Sequence, residues 1–183
     1  FTLLLICLQT FFYSQNLKNE MFLNQNRIDN KFKFNEEVNS KFITNLTDSI
    51  LVFAETKNDS IFSIYIKNNE KKSLKIFPQD NSLYLIQEAL NEKNEWKPIE
   101  FWGYSTCGNS YDKTINLEPQ KIIHLTTDRY SGNFKTRIRF RLLLDKMNYF
   151  SNEIPSTINK SKFEKSKWFL EFSKLFTKIS GEN

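Results

Sequence analysis

Lys135, Arg137, Arg139 and Arg141 alternate with Phe134, Thr136, Ile138, Phe140 and Leu142. On a strand, alternate side chains share a face. The four cations would then form a row about 6.5–7 Å apart, at ~3.3 Å per residue, while the other face enters a core. Such a row can dock an anionic partner, either an acidic polysaccharide, a lipopolysaccharide or an acidic protein. It can equally be a solvated face balanced by carboxylates of neighbouring strands, with Glu88, Glu100 and Glu55 as candidates. Balance is the expectation, and anion binding by Lys135, Arg137, Arg139 and Arg141 is its rival.

Trp96, Phe101, Trp102, Tyr104 and Tyr111 crowd one segment. Their planes could form a sugar-binding surface, for which Trp96, Trp102, Tyr104 and Tyr111 are the candidates. The same residues can fill a core and its rim, where Trp and Tyr keep one polar end wet.

Little else in the chain can do chemistry. His124 is the only histidine, so no site with two imidazoles can form. It alternates with Ile123 and Leu125 on a strand, and catalysis would need a partnered nucleophile or acid brought to close range. The two cysteines, Cys7 and Cys107, cannot build a Cys₄ zinc site or a disulfide framework. Cys107 reads as a small buried residue, with a free thiol as the alternative. Four glycines leave no glycine-rich phosphate cradle, and neither G-x-S-x-G nor H-E-x-x-H occurs. No metal and no cofactor is expected. A non-enzymatic protein is expected, and a hydrolase using paired carboxylates is the one catalytic alternative.

The elements that must position these residues are short. The chain has 183 residues, enough for one domain with a real core. Apolar residues make up 39% and include 18 Phe, too many for a disordered chain. From about residue 49 to 145 the hydrophobic period is two. Phe62, Ile64 and Ile66 alternate with Ser63, Tyr65 and Lys67, and Phe134–Leu144 is the cleanest strand in the chain. Turn clusters such as 67–72, 78–82, 91–94 and 130–133 recur every ~8–12 residues, the spacing of an all-β sandwich. Phe62, Ile64, Ile66, Ile138, Phe140 and Leu142 are predicted to share one core.

Both ends differ from this middle. Residues 1–14 open with an uncharged apolar run, FTLLLICLQTFFYS, about half the length of a membrane-spanning helix. It reads as the apolar centre of a secretory signal peptide whose first residues lie ahead of the sequence as given, with Gln15 starting the mature chain. Residues 15–48 read as a weakly structured N-terminal segment, with a short strand signal where Phe32 and Phe34 alternate with lysines. Residues 49–160 form the sandwich domain. In the tail, residues 161–183, Trp168, Phe172, Leu175, Phe176 and Ile179 fall at helical spacing, an amphipathic helix. Its expected role is packing on the sandwich, with peripheral membrane or partner contact as the alternative.

A net charge of +5 is modest, and with export it argues against nucleic acid. The expected partner is a protein or a polysaccharide met in the periplasm, at the outer surface or outside the cell. The expected role is binding or structural support, and an inhibitor or accessory subunit acting through its loops is the alternative.

Two runs carry a family likeness: Glu88–Asp112, whose most specific piece is Cys107-Gly-Asn-Ser-Tyr111, and Leu117 through Phe140 to Ser151-Asn-Glu. They resemble small, mostly uncharacterised secreted proteins of Bacteroidetes with immunoglobulin-like β-sandwich folds. The resemblance covers about Ser60–Phe163. It implies an exported Ig-like sandwich and carries over neither an activity nor a catalytic residue.

Overall fold

The computed structural model describes residues 24, 26–42, 48–103 and 114–164. The protein is all-β and its sheets are antiparallel. One sheet runs β1 (Arg27–Ile28), β8 (Ile122–Asp128), β3 (Ile61–Asn68), β2 (Ile50–Asn58) in spatial order. The other runs β10 (Met147–Phe150), β9 (Phe134–Leu144), β5 (Leu85–Leu90), β6 (Trp96–Pro98), with β11 (Ile154–Ile158) also paired to β9. A small ribbon joins β4 (Leu74–Ile76) to β7 (Ile115–Leu117).

Period-two patterning sets which side chains face inward. Phe62, Ile64 and Ile66 of β3 meet Ile138, Phe140 and Leu142 of β9 in one core, as the alternation predicts. Phe62 and Phe140 touch edge to face with ring centroids 5.5 Å apart, a favoured aromatic geometry. β9 turns into β10 through Asp145 and Lys146, both at positive φ (49° and 65°). Two such residues make the tight hairpin that matches strand twist.

The N-terminal segment corrects one expectation. Asn26, Ile28, Val38 and Phe42 of this segment are buried, and Phe32 and Phe34 do not form a strand. After β1 the chain crosses the outer face of the first sheet to the short helix α1 (Glu36–Ser40), capped by Asn35, whose side chain accepts from the Val38 N–H. Val38 and Phe42 bury against Leu51, Tyr65 and Ile122, with Phe32 and Phe53 beside them. The face of β3 that alternation leaves for solvent is therefore covered at Ser63 and Tyr65, both buried. Three widely spaced apolar residues, Ile28, Val38 and Phe42, are buried in a segment of polar composition. The proposed signal run and tail helix lie outside the described residues. Among the described residues no helix is long and apolar enough to cross a membrane.

Candidate functional site

The basic row sits on the outer face of β9, and its charges are largely met by carboxylates. Register places Arg139 directly opposite Glu88 of β5. Arg139 binds Glu88 Oε2 through Nη2 at 2.7 Å and through Nε at 2.8 Å. Arg141 Nε lies 2.9 Å from the other carboxylate oxygen of the same residue. Glu88 is buried, with only 8% of its side chain exposed. Arg137 pairs with Glu153 in the connection between β10 and β11. Lys135 is exposed, and none of the ion pairs among the described residues includes it. Of the three carboxylates offered as balancing partners, Glu88 alone serves. Glu55 binds Lys41 at 2.8 Å instead, and Glu100 lies elsewhere.

Arg139 is also held between rings. Its guanidinium carbon is 4.5 Å from the centroid of Trp96 and 4.2 Å from that of Phe150. Cation–π attraction on both faces and a carboxylate in the guanidinium plane fix this side chain in one place. Phe150 remains 45% exposed. The result is a layered stack of ring, guanidinium and ring on the sheet surface.

The aromatic candidates do not gather into one surface. Trp96 flanks Arg139 on β6. Trp102 instead packs on Tyr84, with centroids 5.4 Å apart, and donates from Nε1 to Ser82 Oγ at 3.1 Å. It borders a shallow polar cleft of about 160 Å³ with Asn24, Asn26, Gln79 and Asp80. Tyr104 and Tyr111, with Cys107, lie outside the described residues.

His124 has partners that sequence proximity could not show. Its Nδ1 is 3.0 Å from Asp29 Oδ2 and its Nε2 is 3.2 Å from Ser63 Oγ. Asp29 arrives from the N-terminal crossing, and Ser63 from the same face of β3. Asp29 has its carboxyl held below the usual range, chiefly by this hydrogen bond. Carboxylate, imidazole and hydroxyl in line is the order of a nucleophile–base–acid relay. Ser63, however, is buried. Ser63 is 3% exposed in a strand paired on both sides. The imidazole is enclosed by Tyr65, stacked at 4.8 Å, and by Phe32 at 5.3 Å. In this geometry the trio fastens the crossing segment to the sheet.

Glu100 forms a second buried cluster. Its Oε1 accepts from the Gln87 N–H at 2.8 Å and from the Asn24 amide. Its Oε2 accepts from Gln87 Nε2 at 3.0 Å and from the Tyr130 hydroxyl at 2.8 Å. Burial pushes its pKa up to about 7, against the pull of these donors and of the Lys162 ammonium. Lys162 is drawn down to about 8 by its own desolvation, and its Nζ lies 3.5 Å from the Tyr130 ring centroid. Glu88 and Glu100 thus have separate sets of partners. The one sequence signal for this cluster was polar residues inside apolar runs: Glu100 between Ile99 and Phe101, and Gln87 after Leu85 and Ile86.

Comparison with protein-family models, with curated proteins and with solved structures finds no match to this chain.

Proposed function

We propose that the chain is an exported, non-enzymatic immunoglobulin-like β-sandwich that works by binding a protein partner through the outer face of its five-stranded sheet. Strand order supports the Ig-like reading. In that scheme β2, β3 and β8 stand for strands A, B and E of one sheet. β6, β5, β9 and the β10–β11 edge stand for C′, C, F and G of the other. β1 takes the edge beside E that strand D would hold, and Tyr130 falls at the E–F corner. The uncharged run at residues 1–14 supports export. Intact-mass measurement of the exported protein should find a chain starting near Gln15.

The observation that carries the binding reading is Arg139 clamped between Trp96 and Phe150. Trp, Arg and exposed aromatic rings are the residue types that dominate protein interfaces, and a locked side chain has little rotamer entropy left to lose. Neutralisation of the row by Glu88 and Glu153 weighs against an acidic polysaccharide. The test is affinity capture from the exported fraction of the source cells, with wild type and Phe150→Asp side by side. A defined protein retained by wild type and lost on substitution supports the reading. Equal capture by both, or retention on acidic polysaccharide alone, overturns it. Labelling of Ser63 by a fluorophosphonate would overturn the non-enzymatic part.

A further inference from the structure

Two elements far apart in sequence build the polar cleft beside Trp102. One wall is the turn at Asp80-Asn81. Gln79 and Ser82 close it with two main-chain hydrogen bonds of 3.0 Å each. Asp80 and Asn81 both have positive φ, 49° and 57°, the conformation of a tight two-residue hairpin. The other wall is the N-terminal segment, and Asn81 pins the two together. Its Nδ2 donates to the Ile28 carbonyl at 3.0 Å, its Oδ1 accepts from Asn30 Nδ2 at 3.0 Å, and its carbonyl accepts from the Ile28 N–H at 2.9 Å. Asn26 is buried in the same wall, where it accepts from the Leu83 N–H at 2.9 Å and donates to the Leu83 carbonyl at 2.8 Å. The Trp102 indole is held by Tyr84 and by Ser82 Oγ, and that hydroxyl donates in turn to the Gln79 carbonyl at 2.8 Å.

Two charged side chains of the lining take no part in this frame. Arg27 and Asp80 are both exposed at the cleft. Among the described residues neither side chain makes a hydrogen bond or an ion pair. We propose that the cleft binds a neutral sugar, one pyranose ring at a time, with Asp80 and Arg27 on its hydroxyls and Trp102 against its apolar C–H face.

Size, charge and hydrogen bonding select that class. A volume of about 160 Å³ is the space of roughly five water molecules at ~30 Å³ each. One six-membered ring with its hydroxyls fills it, and anything longer must extend into solvent. The lining carries one cation and one anion, so its net charge favours neither an anionic nor a cationic ligand. Both groups are exposed, where a single ion pair is worth little. A carboxylate only accepts hydrogen bonds and a guanidinium only donates them. A sugar hydroxyl does both, so neighbouring hydroxyls of one ring can satisfy Asp80 and Arg27 in the same pose. The same ring offers C–H groups to an indole whose polar N–H is already engaged by Ser82. Walls fixed by main-chain hydrogen bonds have little ordering cost left, which a neutral ligand of few contacts needs. The cleft shares no residue with the Arg139 clamp, so it stands or falls apart from the protein-partner reading.

NMR titration of the whole protein tests this. The probes are glucose, galactose, mannose and N-acetylglucosamine, each free and as the end of a short neutral oligosaccharide, with glycine as the zwitterionic control. At least one sugar should shift the Trp102 indole N–H and the Asp80 and Ser82 amides saturably while leaving the β9 amides in place. Asp80→Asn keeps a residue that tolerates positive φ. It and Arg27→Gln should each weaken binding on the order of tenfold. Tighter binding of an oligosaccharide identifies a glycan as the source, equal binding a free sugar, and either supports the site. No response to any sugar, a response to glycine alone, or sugar binding that survives either substitution would overturn the proposal. Should Asp80→Asn not fold, Arg27→Gln decides by itself.

Discussion

The side chain of Asn152 makes both hydrogen bonds to Ala54 that a neighbouring strand would make. Its Oδ1 accepts from the Ala54 N–H at 2.8 Å and its Nδ2 donates to the Ala54 carbonyl at 2.9 Å. Ala54 lies midway along β2, the edge of the first sheet. An open edge is a template for pairing with another chain, so Asn152 closes the β2 edge at its middle. Asn152→Ala removes both bonds and should cost about 1–3 kcal/mol in chemical denaturation. Light scattering of the same variant should show concentration-dependent association that wild type lacks.

Phe140, Arg139 and Lys135 belong to one strand but should respond to truncation very differently. Phe140 is fully buried against Phe62, so Phe140→Ala should cost ~3–5 kcal/mol. Lys135→Ala should change the melting midpoint by less than about 1 °C, as expected of an exposed charge outside any ion pair. Face alternation alone would put Arg139 with Lys135. Its clamp between two rings, and the buried carboxylate it leaves behind, instead set the cost of Arg139→Ala at about 1–2 kcal/mol. Arg141 retains part of the compensation for Glu88, and partial exposure of the pair reduces the effect. A midpoint ranking of Lys135→Ala above Arg139→Ala above Phe140→Ala checks all three.

β3 and β9 were legible because each has one apolar face at period two, β2 because it is a short run rich in apolar residues, and β5 and β8 because turn clusters bound them among neighbouring strands. β10 and β11 were not. Met147–Phe150 has no alternation of hydrophobicity, and Pro155 interrupts Ile154–Ile158. Pro155 is tolerated because it lies on the sheet edge, where its missing N–H faces no partner. The role of the N-terminal segment was hidden for a different reason. Asn24 and Asn26 are buried through hydrogen bonds, which hydropathy cannot register, and their partners lie 57–76 residues away. The row of cations was readable to the residue, but which carboxylate would balance it depended on the β5–β9 register. His124 looked isolated because Asp29 and Ser63 are 95 and 61 residues distant.

Gly132 precedes β9 at a point where main chains meet. A Cβ there would overlap the Ile158 carbonyl and the Asn159 nitrogen, which are backbone and cannot swing aside. Gly132→Ala should therefore push the end of β11 away and cost roughly 2–3 kcal/mol. Exchange at Thr157 and Ile158, which pair with Lys135 and Phe134, should speed up more than exchange at Leu142.

Glu100 gives global stability a definite pH slope. Its folded value of about 7 lies above the ordinary 4.5, so the folded protein binds its proton more tightly than the unfolded chain does. The resulting stability is fully present below about pH 4.5 and is lost as pH rises through 7. The melting midpoint should fall between pH 5 and pH 8, by an amount corresponding to about 2–3 kcal/mol. Glu100→Gln should abolish most of this slope. Asp29 contributes with the opposite sign, because its carboxyl is held below the usual range, and stability should turn down again in strong acid.

Reversing two charges of the row separates a brace from a docking site. In R137E/R139E, Glu88 would face a carboxylate across the β5–β9 pair in place of its two-point partner, with Arg141 alone to offset two negative charges. Glu88 is buried, so a carboxylate facing it should cost more than the about 1–2 kcal/mol of Arg139→Ala. Position 137 adds little, because Arg137 and Glu153 are both exposed. The double variant should therefore be strongly destabilised, and a Glu88→Gln background should recover part of the loss. At ~0.15 M salt the screening length is about 8 Å, so a row already paired with Glu88 and Glu153 has little field left for a distant anion. Wild type should elute from an anionic matrix well below physiological salt. Retention that persists there and disappears in R137E/R139E at a temperature where the variant is still folded would mean the row is a docking site after all.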